Sequence, residues 1–470
     1  MMAPLPSDAM PDEPVLVGVG QVVHRPEDGP VPTLVELMVD AARRAGEDAG
    51  GGLLAEVGWI VTPKGTWTHP DPAREVAAAI GARDARTVMA EVGITQQEVI
   101  DVALRAVQDG APAALVVGAE VNHGSTAGAA AAVGEARQAA VEPDQHLVSH
   151  DLGISGVEVN HRFFDPPTVY AVLENAFATA QGWSDDEHRR RLGTLTEAFA
   201  AVAAGNPYAW ERGGPTAPDI VEPSDGNRMI AEPYTKLCCS NLRVNQAAAL
   251  LVTTVERARA AGVPEDRMVF CQGSAFCNHA VPVVQRDDLS RSVVVRFAGG
   301  RTLELAGVTA GEVEHVDLYS CFPAAVQVAA GELGLELDRP LTVTGGMTFA
   351  GGPLNSYVLH STVTMLEVLR AHPGTRGLVT SVSGFLTKYG AAVWSTAPPA
   401  DGWRSEDVTA EAKAADTIRP DTDDPGEDVR VVAGTVTHDR DGGRTAIDVV
   451  ETADGTRSLR TTQASNSGSA

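Results

Sequence analysis

Val15-Leu16-Val17-Gly18-Val19-Gly20 is a short apolar run, rich in β-branched residues and closed by glycine, and Thr33 then opens an amphipathic stretch from Leu34 to Ala45. An apolar run bounded by glycine reads as a strand buried on both faces, and a threonine ahead of helical periodicity reads as the helix cap. Strand followed by helix is the first unit, and it recurs. Val57 to Val61 and Thr87 to Glu91 read as strands, Asp71 to Ile80 and Thr95 to Gln108 as helices, and Ala113 to Gly118 as a further strand running into Ala119-Glu120. Such alternation predicts an α/β fold with a mostly parallel sheet covered by helices.

At roughly 100–200 residues per domain, 470 residues correspond to two to four domains. Lysine and arginine total 36 against 62 aspartates and glutamates, a formal charge of −26. A surface that negative repels phosphate backbones, so neither nucleic acid nor a membrane is expected as a partner. Five cysteines (Cys238, Cys239, Cys271, Cys277 and Cys321) are too few for a disulfide framework and show no paired CxxC spacing. They predict free thiols and no metal site. The opening MMAPLPSDAMPDEP carries acids and prolines where an export signal needs a basic start, and no later stretch reaches membrane-spanning length, so a cytoplasmic location is expected.

Between Val121 and Thr235 the rhythm breaks. An alanine and glycine stretch (Gly124 to Ala132), an Asp-Pro-Pro turn (Asp165 to Pro167), a helix near Tyr170 to Gln181, the basic run His188-Arg189-Arg190-Arg191 and a helix continuing to Ala204 make a large insertion, the kind that shapes a substrate site. The basic run reads either as a solvated helix face or as a phosphate-binding edge. Alternation resumes at Val244. It brings strands at Met268 to Gln272, Val313 to Leu318, Leu341 to Thr344 and Gly377 to Val382, and helices at Val255 to Ala261, Pro323 to Leu333 and Tyr357 to Arg370. The two halves share an order of elements, which hints at duplication. Thr396 to Asp428, rich in proline and acids, reads as a linker. Arg430 to Val436, Thr445 to Val450 and Ser458 to Thr462 then read as a small β module, and 463–470 as a disordered tail.

Three loops fall at predicted element ends in the second half: Tyr319-Ser320-Cys321-Phe322, Ala350-Gly351-Gly352-Pro353-Leu354-Asn355 and Ser381-Val382-Ser383-Gly384-Phe385. Ligands of α/β proteins bind where such loops converge. Taken with Ala119-Glu120, Ser240-Asn241, Val244 to Ala249, Asp317-Leu318 and Gly345-Gly346, they form a series that resembles the thiolase superfamily over about residues 14–395. The series most resembles sterol-carrier-protein-type (SCP2-type) thiolases and the type 1 thiolase-like branch, within the acetyl-CoA acetyltransferase family of lipid metabolism. That branch carries an added C-terminal domain, which 396–462 matches.

The resemblance implies a duplicated, five-layered α-β-α-β-α thiolase fold, with a large loop insertion and a small C-terminal β module. Its parts fall at 14–120 and 236–280 (N-terminal half), 121–235 (insertion), 281–395 (C-terminal half) and 396–462 (β domain). It also implies acyl-coenzyme A thioesters as substrate or ligand with no other cofactor, a homodimer, and an accessory subunit as a further partner. The catalytic set carries over poorly. The family's nucleophilic cysteine aligns with Gly93, the histidine of its Gly-His-Pro motif with Gly352, and its second cysteine with Ser381; Tyr319 stands first in the motif whose leading side chain orients an oxyanion-binding water. Without sulfur at Gly93 there is no acyl-enzyme, so standard transferase chemistry of the Claisen type is not expected.

Tyr319 is then the leading acid/base or oxyanion-donor candidate, with a half-buried packing role as the other reading. Tyr357 and His360, three apart, share a helix face; His360 titrates near neutrality if that face looks into the cleft, and is otherwise a packing or surface residue. Gly351, Asn355, Gly384 and Cys321 complete the expected substrate-binding loops, Cys321 reading either as a small hydrophobe or as a replacement nucleophile. Lys236 and Lys388 read as coenzyme A phosphate partners or as surface residues. Two functions stay open: enolate carbon–carbon chemistry on a thioester, as in acyl-CoA aldolases that use tyrosines, or a non-catalytic acyl-CoA-binding or scaffold subunit.

Overall fold

Strand β1 (Pro14–Val23) runs so close to helix α1 (Leu34–Asp48) that a methyl group on Gly18 would lie 2.0 Å from the Ala45 carbonyl oxygen, and one on Gly20 2.2 Å from that of Ala41. The glycines of the opening run are therefore a packing requirement. Thr33 caps α1 as expected: its hydroxyl accepts from Glu36 N at 3.2 Å while the Glu36 carboxylate accepts from Thr33 N at 2.8 Å. In this computed structural model the described residues are 10–124, 141–149 and 153–463.

The first sheet joins β1, β2 (Val57–Pro63), β3 (Arg86–Ala90), β4 (Ala113–Val121), β5 (Gln145–Leu147) and β8 (Asn245–Thr254) in the order β1-β8-β4-β2-β3-β5. β2 is parallel to β3 and β4, and β8 is antiparallel to β1 and β4. The second sheet joins β9 (Phe270–Asn278), β10 (His315–Asp317), β11 (Arg376–Ser383), β12 (Lys388–Ser395) and β13 (Ser405–Asp407) in the order β10-β11-β12-β9-β13. β3-β2-β4-β8-β1 and β10-β11-β12-β9 repeat one arrangement, so the halves are duplicated. β9 hydrogen-bonds along β12. The second half therefore starts at Phe270, ahead of the expected boundary at 281.

Helices α1 and α2 (Pro72–Ile80) cover the outer face of the first sheet. α3 (Gln96–Gln108) packs between the sheets, touching strands of both. In the insertion, α4 (Pro166–Ala180) and α5 (Asp185–Gly205) follow. α6 (Val293–Leu305) covers the second sheet, α7 (Pro323–Leu333) packs between α6 and α4 of the insertion, and α8 (Tyr357–Ala371) lies beside α3 in the central layer. The order of layers is α-β-α-β-α.

Three expectations are corrected. Leu341 to Thr344 is a loop, although it stands where the duplicated order requires a fifth strand. The Asp317 carboxylate accepts from Val343 N at 2.9 Å, Thr344 N at 3.2 Å and Thr342 Oγ1 at 2.9 Å, and this capture replaces ladder pairing; only Leu318 N to Leu341 O, 3.0 Å, remains. The stretch 396–428 is no plain linker, because β13 closes the edge of β9 and α9 (Thr409–Ala415) packs on α6. The C-terminal module is also not self-contained. β14 (Val429–His438), β15 (Arg444–Thr452) and β16 (Arg457–Gln463) continue through β6 (Met229–Ala231) and β7 (Tyr234–Thr235) of the insertion in one sheet, so Gln463 ends a strand rather than opening a tail.

A buried carboxylate ties the insertion to the core. Glu174 of α4 accepts from Gln327 Nε2 of α7 at 2.7 and 2.9 Å and from the Tyr234 hydroxyl at 2.8 Å, and sits 2.8 Å from His188 Nε2 of α5. His188 thus turns inward from the basic run while Arg189, Arg190 and Arg191 stay exposed. Most of the alanine and glycine stretch from 125 onward lies outside the described residues. Among those described, no helix is long and apolar enough to cross a membrane, and no group of three or more His, Cys, Asp or Glu could hold a metal ion.

Candidate functional site

Asp317, at the end of β10, organises the loop that follows it. Besides the 341–344 loop, its carboxylate accepts from the Ser361 hydroxyl at 2.7 Å and the Tyr357 hydroxyl at 3.3 Å, while Thr344 Oγ1 lies 2.8 Å from the Tyr357 oxygen. Tyr357 is therefore fixed within the core, only 1% exposed. The Tyr319 ring meets it edge to face, centroids 5.8 Å apart, and Tyr319 N donates to Thr380 Oγ1 at 2.8 Å. The two tyrosines of the sequence reading do meet. Burial pushes both phenols well above their ordinary value, so each is a hydrogen-bond donor and neither is a phenolate at neutral pH.

Gln96 completes this cluster, and sequence reasoning missed it. It is the first residue of α3, three beyond Gly93, and its Nε2 donates to Asn355 Oδ1 at 2.8 Å while its amide also reaches the Tyr319 hydroxyl. Gln96 Oε1 and Asn355 Nδ2 are buried with no hydrogen-bond partner, as are the Ser356 and Tyr389 hydroxyls. Orphaned buried amides are costly, so a donor and an acceptor left open beside a phenol mark this cluster as the candidate site. The one available signal was the position at the start of α3, where free backbone amides favour negative charge.

The nucleophile's expected place holds no side chain and is bordered by two polar residues. Gly93 has φ +111°, and a Cβ built there would point at Ser149 Cβ, 3.4 Å away, and Lys388 Nζ, 3.7 Å away. Lys388, only 2% exposed, donates from Nζ to the Gly93 carbonyl oxygen at 3.1 Å and to the Ser149 hydroxyl. This corrects the reading of Lys388 as a phosphate partner or surface residue: β12 aims it into the core beside the tip of α3. Lys236 is exposed. Burial pushes Cys238, Cys277 and Cys321 up to about 12, and Cys239 and Cys271 further in the same direction, so all five are protonated thiols.

The glycine loop folds against other groups. Gly352 N donates to Asn241 O at 2.8 Å, and a Cβ there would lie 3.3 Å from that oxygen and 3.4 Å from Met347 Cε. Gly351 needs its φ of +109°, because a Cβ would strike Gln246 Oε1 at 2.3 Å. Tyr357 and His360 do share a helix face, and both line a cavity of about 10 Å3 with Gln21 and Gln246. His360 Nδ1 sits 3.0 Å from Gln21 Oε1, its Nε2 has no partner, and burial pushes its pKa down to about 3. It is a neutral imidazole and does not titrate near neutrality.

The last loop is structural in its contacts. The Ser381 hydroxyl donates to Gly390 O at 3.1 Å, and the Gly384 carbonyl accepts from the Tyr170 hydroxyl at 3.1 Å. Tyr170 stacks on Phe322, centroids 4.7 Å apart, and its hydroxyl also reaches Cys321. Cys321 thus packs beside an aromatic pair from the insertion. Gly93, Tyr319, Tyr357, Asn355 and Gln96 converge around the start of α3; His360, Cys321 and Gly384 sit around them.

No protein-family model matches the chain. The acetyl-CoA acetyltransferase of Methanothermobacter thermautotrophicus is 23% identical over 261 residues, 48% of this chain and 66% of that relative's length. A monomeric SCP2-thiolase like protein type 1 from Mycobacterium smegmatis superposes with a TM-score of 0.81 at 28% identity, over 96% of this chain and 92% of its own. The Ltp2-ChsH2(DUF35) aldolase superposes with a TM-score of 0.60 at 19% identity, over 82% of this chain and 98% of its own, a likeness of fold.

Proposed function

We propose, from the premise that this is a thiolase-like α/β chain with acetyl-CoA acetyltransferase and thiolase homologues, that it binds an acyl-CoA thioester without ever carrying the acyl group on itself. The observation that carries this reading is Gly93 at the tip of α3, a residue with no side chain, its carbonyl held by Lys388 Nζ and Ser149 standing beside it. A thioester carbon has no thiolate to meet there.

The open amide of Asn355 and the hydroxyl of Tyr319 are suited to donate to a thioester carbonyl oxygen, and the positive end of α3 favours negative charge on that oxygen. Such a site stabilises an enolate. Carbon–carbon cleavage of a β-hydroxyacyl thioester then breaks the Cα–Cβ bond, sends its electron pair into the enolate, and needs only a base for the β-hydroxyl proton and a proton for Cα. Tyr319, kept as a phenol by burial, gives its proton to Cα in this scheme, and the proton that a water molecule takes from the β-hydroxyl returns to the Tyr319 oxygen, so none is gained or lost. The aldolase among the structural neighbours agrees with it at the level of fold.

Incubation with a β-hydroxyacyl-CoA and, separately, with acetyl-CoA tests the proposal. Saturable binding of both, no acylated residue by mass spectrometry, and aldehyde or ketone release from the first that Tyr319→Phe abolishes are expected. Acylation of any side chain overturns the reading. Binding without product under every condition leaves the chain a thioester-binding subunit.

A further inference from the structure

Helix α5 uses only part of its circumference for packing. Leu192, Thr196 and Ala203 are buried, whereas Arg191, Thr194, Leu195, Ala198 and Val202, also at helical spacing, face a groove of about 500 Å3. Leu337, Pro340 and Leu341 form the opposite wall. The levels of Arg190 and Val202 are about 18 Å apart at 1.5 Å per residue, so the groove is long as well as apolar.

Its outer end is positive. Arg190 and Arg191 both line it and share one carboxylate, that of Glu187, and Arg191 also lies 4.8 Å from the centre of the Trp183 ring. Arg339 and Asp338 on the far wall offset each other, and the Arg339 guanidinium is engaged by the Val313 carbonyl at 2.6 Å. Two guanidinium groups on one carboxylate leave a local positive excess in a chain of net charge −26.

We propose that this groove binds an amphipathic anion with an unbranched apolar tail, of the chemical class of fatty-acid carboxylates. The tail lies along Leu195, Ala198 and Val202, where it leaves water, and the carboxylate pairs with the forked donors of Arg190 and Arg191. The site stands apart from the thioester reading, although a smaller cavity bordered by Ser320, Phe322 and Met347 shares the walls Leu195 and Phe199 with it.

Titration calorimetry of laurate into the full chain tests this. Saturable binding is expected, weakened at least tenfold by Ala198→Phe, which fills the groove from an exposed position, and several-fold by Arg190→Gln with Arg191→Gln; Arg189→Gln, outside the groove, leaves it unchanged. No saturable binding, or equal affinity in the Ala198→Phe variant, overturns the proposal. Displacement of laurate by coenzyme A overturns the site as a separate one. Coenzyme A binding to the same variants, followed without laurate, reports on the thioester reading alone.

Discussion

Lys388 Nζ donates a 3.1 Å hydrogen bond to the carbonyl oxygen of Gly93, two residues ahead of Thr95, which caps α3. The amine thus stands beside the place that the cysteine of thiolases would hold, 3.7 Å from where a Cβ on Gly93 would lie.

Gly93→Cys is therefore expected to leave acetyl-CoA unreacted. The backbone there has φ +111°, which a side chain resists, and neither Gly352 nor Ser381 can serve the new thiol as a base. The variant should lose about 1–2 kcal/mol of stability. Intact-mass analysis after exposure to acetyl-CoA checks the first point, and a stable adduct at residue 93 would refute it.

Lys388→Met keeps the volume of the stem but removes the donor to Gly93 and Ser149. Hydrogen bonds from a charged group contribute about 1.5–3 kcal/mol each when buried, and a loss of about 3 kcal/mol in urea unfolding is expected. A surface role would leave the midpoint unchanged.

His360 and Asp101 oppose each other in acid. His360 is lowered from 6.5 to about 3, so the unfolded chain binds more protons between those values and stability falls as pH drops through that window, by about 1.4 kcal/mol per unit. Asp101, buried on α3 against Ser274, is raised from 3.8 to about 6, so the folded chain binds more protons and stability falls as pH rises through that window. The two slopes nearly cancel between pH 4 and 6. His360→Gln should uncover the second, making the variant more stable at pH 4 than at pH 6; a pH series of denaturation midpoints with no such reversal would count against this account.

Glu174→Ala leaves His188, Tyr234 and Gln327 without their shared acceptor. A loss of about 3 kcal/mol is expected, together with faster proteolysis within 160–235, because the same carboxylate joins α4, α5 and α7. Equal cleavage rates in variant and parent would assign the insertion's docking to apolar contacts alone.

Local pattern carried much of the architecture. The β1–α1 unit, the cap at Thr33 and the α3 helix are legible because periodicity and caps act within a few residues. α6 escaped notice because Val293 to Phe297 reads as a β-type run and a Gly299-Gly300 pair interrupts it. Leu341 to Thr344 has the composition of a strand, yet a carboxylate some 25 residues earlier in the chain takes its amides. β13 and α9 hide in a stretch rich in proline and acids, and only the open edge of β9 gives them a place.

The site divides in the same way. Tyr319, Tyr357, Asn355 and Gly93 could be named from motifs, whereas Gln96 as their neighbour and Lys388 beside Gly93 could not. By itself the sequence determined the alternating α/β pattern, the order of the loops and the absence of a thiol at position 93. The tertiary structure alone decided which polar groups are left open and which charges face one another. Backbone propensity acts between near neighbours, while burial and partnering depend on segments that meet only when both sheets close over α3.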